Sequence, residues 1–192
     1  MASSEQAGLY PLFLKLAGRA VLVVGAGPVA ESKIASLLAA GARVRVVAPT
    51  ATEGVRRLAS EKTIDWREGS FEDGDADGAW LMVAATSDPA AQRLASAAAQ
   101  SRRMFVVAVD DPDNASAYSG AVVVRPPFTV AISSSGATPA LARLLREIIE
   151  ELLPGEAWVE HAKRLRAAWR AEGTPMGDRF GELVKAFKRS AE

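Results

Sequence analysis

Residues 20–24 (Ala-Val-Leu-Val-Val) are apolar without interruption and rich in β-branched side chains. Such a run suits a strand covered on both faces of a parallel sheet. The glycine turn Gly25-Ala26-Gly27-Pro28-Val29-Ala30 follows, then a helical pattern that places Val29, Ile34, Leu37 and Leu38 on one side. Gly41 stands where a helix C-terminal cap belongs, and Arg43–Ala48 reads as a second strand. Strand, tight turn, helix and strand in so short a stretch make a βαβ unit. The alternation continues with a helix over 52–60, a short strand over Thr63–Arg67 and a buried strand over Trp80–Ala85. A helix over 88–101 begins with Asp88 as cap and Pro89 at the first helical position. The strand Phe105–Val109 ends at Asp110-Asp111-Pro112. This order predicts an α/β fold with a Rossmann-like, doubly wound parallel sheet.

The pattern changes after residue 115. Ala121–Val124 and Thr129–Ser133 are separated only by Arg125-Pro126-Pro127-Phe128, too short for a helical crossover, so the two strands should pair antiparallel. A Ser-Ser-Ser-Gly-Ala-Thr-Pro turn leads into a helix from Pro139 to Leu153, stopped by Pro154-Gly155. Two amphipathic helices close the chain, one with Trp158, Ala162, Leu165 and Trp169 on a face, the other with Phe180, Leu183, Val184 and Phe187. The expected division is 1–118 as an NAD-binding Rossmann domain, 119–153 as a small α+β dimerisation segment of hairpin plus helix, and 154–192 as a C-terminal helical tail. The last two parts are too thin to bury their apolar faces alone, so a partner chain is expected.

Composition narrows the chemistry. The 192 residues are 49% hydrophobic and 24% charged, with 23 basic against 23 acidic side chains. Net charge near zero argues against nucleic acid or an anionic membrane as the main partner, yet leaves room for an acidic small molecule at a local basic patch. With no cysteine and one histidine, disulfides, Cys-ligated zinc, iron–sulfur clusters, thiol nucleophiles and multi-His metal sites within one chain are excluded. Lys15 and Arg19 before the apolar run Ala20–Ala26 imitate a secretory signal, but glycines and Pro28 break the run. No apolar stretch reaches the roughly 18 residues that cross a bilayer. The expectation is a soluble, cytoplasmic protein.

The pattern Gly25-x-Gly27-x-x-Ala30 has a direct use. Its first glycine allows the tight turn, the second lets backbone approach a pyrophosphate, and the small third residue lets helix pack on strand. The helix N-terminus then offers amides and a positive dipole to the anion. The acid that usually holds the ribose at the end of the second strand is missing, since that tip reads Val47-Ala48-Pro49-Thr50. Backbone and the Thr50 hydroxyl would substitute, so charge does not choose between NAD and NADP. Arg43 and Arg45 lie inside the strand, where solvent or sheet partners are the expected neighbours. Ligands of open α/β sheets sit beyond the carboxyl ends of strands. Three ends carry polar residues: Gly25–Gly27, Ala85-Thr86-Ser87-Asp88 and Asp110-Asp111. A carboxylate facing a nicotinamide ring can take a proton while hydride leaves a neighbouring carbon. Equally, Asp110 or Asp111 could cap the turn before Pro112.

Four segments in this order and spacing carry a resemblance: Gly25-Ala26-Gly27-Pro28-Val29-Ala30-Glu31-Ser32-Lys33, Ala84-Ala85-Thr86-Ser87-Asp88, Val109-Asp110-Asp111-Pro112 and Val130 through Arg143. From Tyr10 to Pro154 the chain resembles the precorrin-2 dehydrogenase/sirohydrochlorin ferrochelatase family, the N-terminal module of sirohaem synthase. The Ser-Ser-Gly-x-x-Pro-x-Leu-Ala-Arg segment is more specific than the glycine turn. The resemblance implies NAD-dependent oxidation of precorrin-2 to sirohydrochlorin, with ferrous iron insertion in some members, and a homodimer. It implies Asp110 as catalytic acid/base, Gly25, Gly27, Pro28 and Val29 as the nucleotide loop, and Pro49 and Thr50 on the adenosine side. Thr86, on a neighbouring strand end, is a further cofactor candidate. The family often has Asn where this chain has Ala108, and Arg where it has Ser32, which bears on finer substrate contacts.

A tetrapyrrole polycarboxylate needs cationic and hydroxyl donors. Ser133, Ser134, Ser135 and Thr138 in the turn, with Arg143, are the substrate candidates; Arg125 and Arg146 stand near in sequence. A solvated helix face is the alternative for Arg143 and Arg146, and is expected for the basic run Lys163–Arg170. His161 shares a helix face with Trp158 and Leu165 and is expected to be packed or at the surface, so no metal ligand set is assigned. A non-catalytic nucleotide-sensing module is the rival from another class; it would have no use for the Ser133–Arg143 segment.

Overall fold

The computed structural model describes residues 8–190. Residues 1–7 and 191–192, the outer ends of the first and third expected parts, lie outside the described residues. Two compact units form: Met1–Ser119 with Ser135–Ala137, and Gly120–Ser134 with Thr138–Glu192.

The first unit is built on five parallel strands, β1 (Ala20–Val24), β2 (Arg43–Ala48), β3 (Asp65–Glu68), β4 (Leu81–Ala84) and β5 (Phe105–Ala108), in the order β3-β2-β1-β4-β5. The chain reverses direction across the sheet between β1 and β4, the switch point at which such sheets bind ligands. Alternation along β1 sends Val21 and Val23 to one face and Leu22 and Val24 to the other, all nearly inaccessible. The first face packs on Ala30 and Ile34 of α1 (Pro28–Ala39) and on Val55 of α2 (Glu53–Ser60). The second packs on Ala95, Ala98 and Ala99 of α3 (Pro89–Ser101). Small alanines let α3 approach the sheet closely.

Helix boundaries follow local chemistry. Thr52 caps α2 by accepting from the Val55 amide, and Asp88 caps α3 by accepting from the Ala90 amide. Gly41, at φ +76, takes the left-handed position just past α1.

Some expectations shift. The strand expected over Thr63–Arg67 occupies Asp65–Glu68, because Thr63 and Ile64 donate back to Leu58 at the end of α2. Trp80 donates its amide to Ala20 like a strand residue, but its ring is 62% exposed and lies under the Arg19 guanidinium at 3.7 Å. Val29 is half exposed, because Ala30 and Ile34, four apart, form the buried stripe of α1.

In the second unit, β6 (Ala121–Arg125) and β7 (Phe128–Ile132) pair antiparallel, with Ala121 opposite Ile132 and Arg125 opposite Phe128. The Pro126–Pro127 peptide in their turn is cis. Helix α4 (Pro139–Leu152) packs against the hairpin, Val123 and Ala142 are buried, and Arg125 donates to the Leu153 carbonyl at 2.6 Å. The opposite surfaces stay uncovered: Val122 and Val124 on the hairpin, and Leu141, Leu144, Leu145, Ile148 and Leu152 on α4. Helices α5 (Glu156–Ala171) and α6 (Met176–Ser190) meet through Trp158 and Phe187, whose rings lie 4.8 Å apart. Among the described residues no helix is long and apolar enough to cross a membrane.

Candidate functional site

At the carboxyl ends of β1, β2, β4 and β5 a cavity of about 710 Å³ opens. Its walls bring together Gly25, Gly27, Pro28, Val29, Pro49, Thr50, Thr86 and Asp110, which come from four separate segments of the sequence.

Gly25 draws two strand ends together. It sits at φ +106, and a Cβ there would fall 2.3 Å from the Ala85 carbonyl oxygen. Gly27 is the opposite case. It has ordinary backbone angles, and a Cβ on it would meet nothing within 4 Å, so its bare backbone faces open space at the head of α1. No side chain caps that helix, Pro28 brings no amide of its own, and the Val29 and Ala30 amides sit at the open first turn. A phosphate group accepts hydrogen bonds from such amides and gains from the helix dipole. The residues present therefore fit a dinucleotide: a bare-backbone cradle, a volume of the right size and an uncapped helix pointing into it.

At the tip of β2, Pro49 and Thr50 are exposed. The missing β2 acid has no replacement on that strand. Glu31 of α1 instead accepts from the Thr52 hydroxyl at 2.6 Å and lies against Gly54, tying α1 to the loop before α2. A second cavity, of about 770 Å³, opens at the opposite edge of the sheet and takes Arg43 and Arg45. Arg45 donates to the Asp77 carbonyl at 2.7 Å. Both arginines are thus at the wrong end of β2 to meet a cofactor phosphate, and the switch-point edge is where the fold places its ligand.

The two aspartates after β5 behave differently. Asp111 caps a 3₁₀ turn at Pro112–Asn114, accepting from the Asn114 backbone amide at 3.3 Å and its side-chain amide at 2.8 Å. Asp110 makes no hydrogen bond among the described residues, is exposed at the cavity, and adopts φ +56. For a residue other than glycine this left-handed conformation costs about 1 kcal/mol. The bland role thus falls to Asp111, and Asp110 is left facing the ligand space.

The sequence did not single out Gln92. It lines the same cavity from α3 and donates its Nε2 to the Val109 carbonyl at 3.2 Å and the Ala84 carbonyl at 3.4 Å. The available signal was a glutamine on a helix face otherwise carrying alanines and one serine, Ser96.

The remaining candidates lie elsewhere. Ser133, Ser134, Thr138 and Arg143 belong to the second unit, and Ser135 to the first. The Ser134 hydroxyl accepts from the Thr138 amide at 3.2 Å, while Ser135 and Gly136 both take positive φ to complete the turn. Arg143 is exposed and paired with Glu147 at 3.2 Å; Arg146 pairs with Glu150 at 2.6 Å. Arg143 fits a solvated helix face, whereas Arg146 is partly buried. Lys163 pairs with Glu160 at 2.6 Å, and His161 stands edge-on to Trp158 with ring centroids 5.3 Å apart.

Sheet order, glycine turn and uncapped helix define the class: a Rossmann-like domain that fits a dinucleotide. Residues 12–121, more than half of the chain, match the family model of an NAD(P)-binding domain, and 127–152 match that of the sirohaem biosynthesis protein central segment. The chain belongs to this NAD(P)-binding family. It is 43% identical to siroheme synthase of Citrobacter koseri over 180 residues, covering 92% of this chain and 39% of that protein. It is also 43% identical to siroheme synthase 1 of Aeromonas salmonicida over 171 residues, covering 88% of this chain and 36% of that one. The chain therefore spans well under half the length of these curated relatives. Among solved structures, SirC, a precorrin-2 dehydrogenase, matches with a TM-score of 0.72 at 22% identity, over 92% of this chain and 88% of its own, which shows the fold.

Proposed function

We propose that this chain oxidises precorrin-2 to sirohydrochlorin with NAD as acceptor, as a cytoplasmic homodimer. The observation that carries this is the meeting of Asp110 with the glycine cradle in one cavity, in a chain that also matches the sirohaem biosynthesis central segment. The names of the proteins it resembles, siroheme synthase and precorrin-2 dehydrogenase, point to the same substrate.

In this reading Gly25, Gly27, Pro28 and Val29 hold the pyrophosphate, Pro49 and Thr50 bound the adenosine, and Thr86 borders the nicotinamide half. NAD, when bound, supplies the hydride acceptor. Asp110 takes the proton released as one C–H bond of the tetrapyrrole yields its hydride and a second group loses H⁺, so that NADH and one proton balance the oxidation. Ser133, Ser134, Ser135, Thr138 and Arg143 supply hydroxyl and cationic donors to the substrate's carboxylates. Arg143 would exchange its exposed Glu147 partner, a pair of small net strength, for substrate.

The proposed division is 1–118 for the cofactor, 119–153 for dimerisation and 154–192 for the helical tail. Dimerisation draws support from the uncovered apolar side chains of the hairpin and α4, since a two-stranded hairpin with one helix has little core of its own.

The test is anaerobic incubation of purified protein with precorrin-2 and NAD, following NADH and the sirohydrochlorin spectrum. Both should appear in equal amounts, and Asp110→Ala should keep NAD binding while losing most turnover. NAD binding without any spectral change would favour the nucleotide-sensing alternative. Ferrous iron added to the finished incubation scores the chelatase alternative.

A further inference from the structure

We propose that Gln92 is a positioning residue for Asp110, an inference that rests on the proton-accepting role given to Asp110 above. Helix α3 buries a face of small apolar residues, Ala95, Ala98 and Ala99. Among the described residues the two buried polar side chains are Gln92 and Ser96, 3% and 1% exposed, and both lie on this helix. They are four residues apart, so they stand one above the other on the same face. Both bond to the segment that carries Asp110. Gln92 donates to the Val109 carbonyl, in the peptide that leads into Asp110, and Ser96 donates to the Asn114 carbonyl at 2.6 Å, four residues beyond Asp110.

The Val109 backbone is held from both sides. Its amide donates to the Ala84 carbonyl at 2.9 Å, and its carbonyl accepts from Gln92. That fixes the plane of the Val109–Asp110 peptide, and the left-handed φ of Asp110 then sets where its carboxylate stands. Rotating the Gln92 amide would turn its oxygen onto two carbonyl oxygens, so the donor orientation is the one the site demands. In that orientation Oε1 is buried with no partner among the described residues. A buried glutamine with half its amide unpaired adds little to stability compared with an apolar side chain of equal volume. Its benefit lies in the placement of Asp110.

The test combines kinetics with a structural readout on Gln92→Met, which keeps the volume and removes the donor. The expected result is an intact fold, NAD affinity within about twofold of the parent, and kcat lower by about tenfold or more, since small displacements of a reacting group cost that much. A crystal structure of the variant should show Asp110 released from positive φ. Should Gln92→Met not fold, Gln92→Asn, whose amide is one methylene too short to reach Val109, takes the same measurements. Asp110 unmoved in the variant, kcat within about twofold of the parent, or NAD affinity falling as far as kcat would each overturn the proposal. A parent protein unable to oxidise precorrin-2 would sink the dehydrogenase reading, and the conformation of Asp110 in the variant would still decide whether Gln92 positions it.

Discussion

Alanine at Gly25 and alanine at Gly27 should have opposite consequences, although the two glycines belong to one short motif. At Gly25 the new Cβ must adopt φ +106 and would sit 2.3 Å from the Ala85 carbonyl oxygen, a backbone atom that cannot swing aside. The strained angle costs about 1–3 kcal/mol, and parting the ends of β1 and β4 adds an overpacking term of about the same size. The two together come to about 2–6 kcal/mol, and each kcal/mol lowers the melting temperature by about 4 °C in a unit of about 120 residues. At Gly27 the backbone is ordinary and the Cβ meets no atom within 4 Å. Alanine there costs under about 1 kcal/mol as a poorer N-cap, so the melting temperature should hardly move. Its methyl group instead occupies the space through which backbone approaches the pyrophosphate, and the Kd for NAD should rise at least tenfold, about 1.4 kcal/mol. Thermal unfolding and calorimetric titration with NAD measure both quantities on both variants. Unchanged NAD affinity in a folded Gly27→Ala protein would refute the assignment of this loop to the pyrophosphate. A Gly25→Ala protein as stable as its parent would refute the argument from close approach.

Asp111→Ala removes the cap of the 3₁₀ turn and should cost about 1 kcal/mol of stability, with turnover falling far less than in Asp110→Ala; urea unfolding and the NADH assay give the two numbers. Burial raises the pKa of Asp75, but the hydrogen bonds from Arg67 and the Glu72 amide outweigh it and hold the carboxyl below its ordinary 3.8. Such a group stabilises the fold above that value and loses its contribution as pH falls through the lowered pKa, so Asp75→Asn should flatten the acid end of the stability–pH curve, measured by circular dichroism. Leu144→Glu, on the uncovered face of α4, should turn a dimer into a monomer in size-exclusion chromatography with light scattering; a monomeric parent would remove the dimer from the proposal.

What the sequence makes legible here is what local chemistry decides. An uninterrupted apolar run suits a strand covered on both faces of a parallel sheet, and β1, β4 and β5 lie on such runs, while β2, broken by Arg43 and Arg45, follows from the βαβ order. Asp88-Pro89 starts a helix because one side chain caps it and the next residue needs no amide. β3 begins late, because Thr63 and Ile64 are drawn back onto Leu58, a competition between helix end and strand that periodicity does not register. The two neighbouring aspartates show the boundary most clearly. Either could cap a turn before proline, and the choice falls on Asp111 through its contacts with Asn114, leaving Asp110 at positive φ. What selects between them is held from a distance. Gln92 reaches Val109 across seventeen residues of sequence, and Ser96 reaches Asn114 across eighteen. Neither bond is visible in any local pattern, because each needs α3 docked on the sheet before its donor meets the loop. The cofactor cradle is therefore written in adjacent residues, whereas the aim of the proposed catalytic group is a property of the folded core, so variants in α3 should alter turnover without touching the cradle.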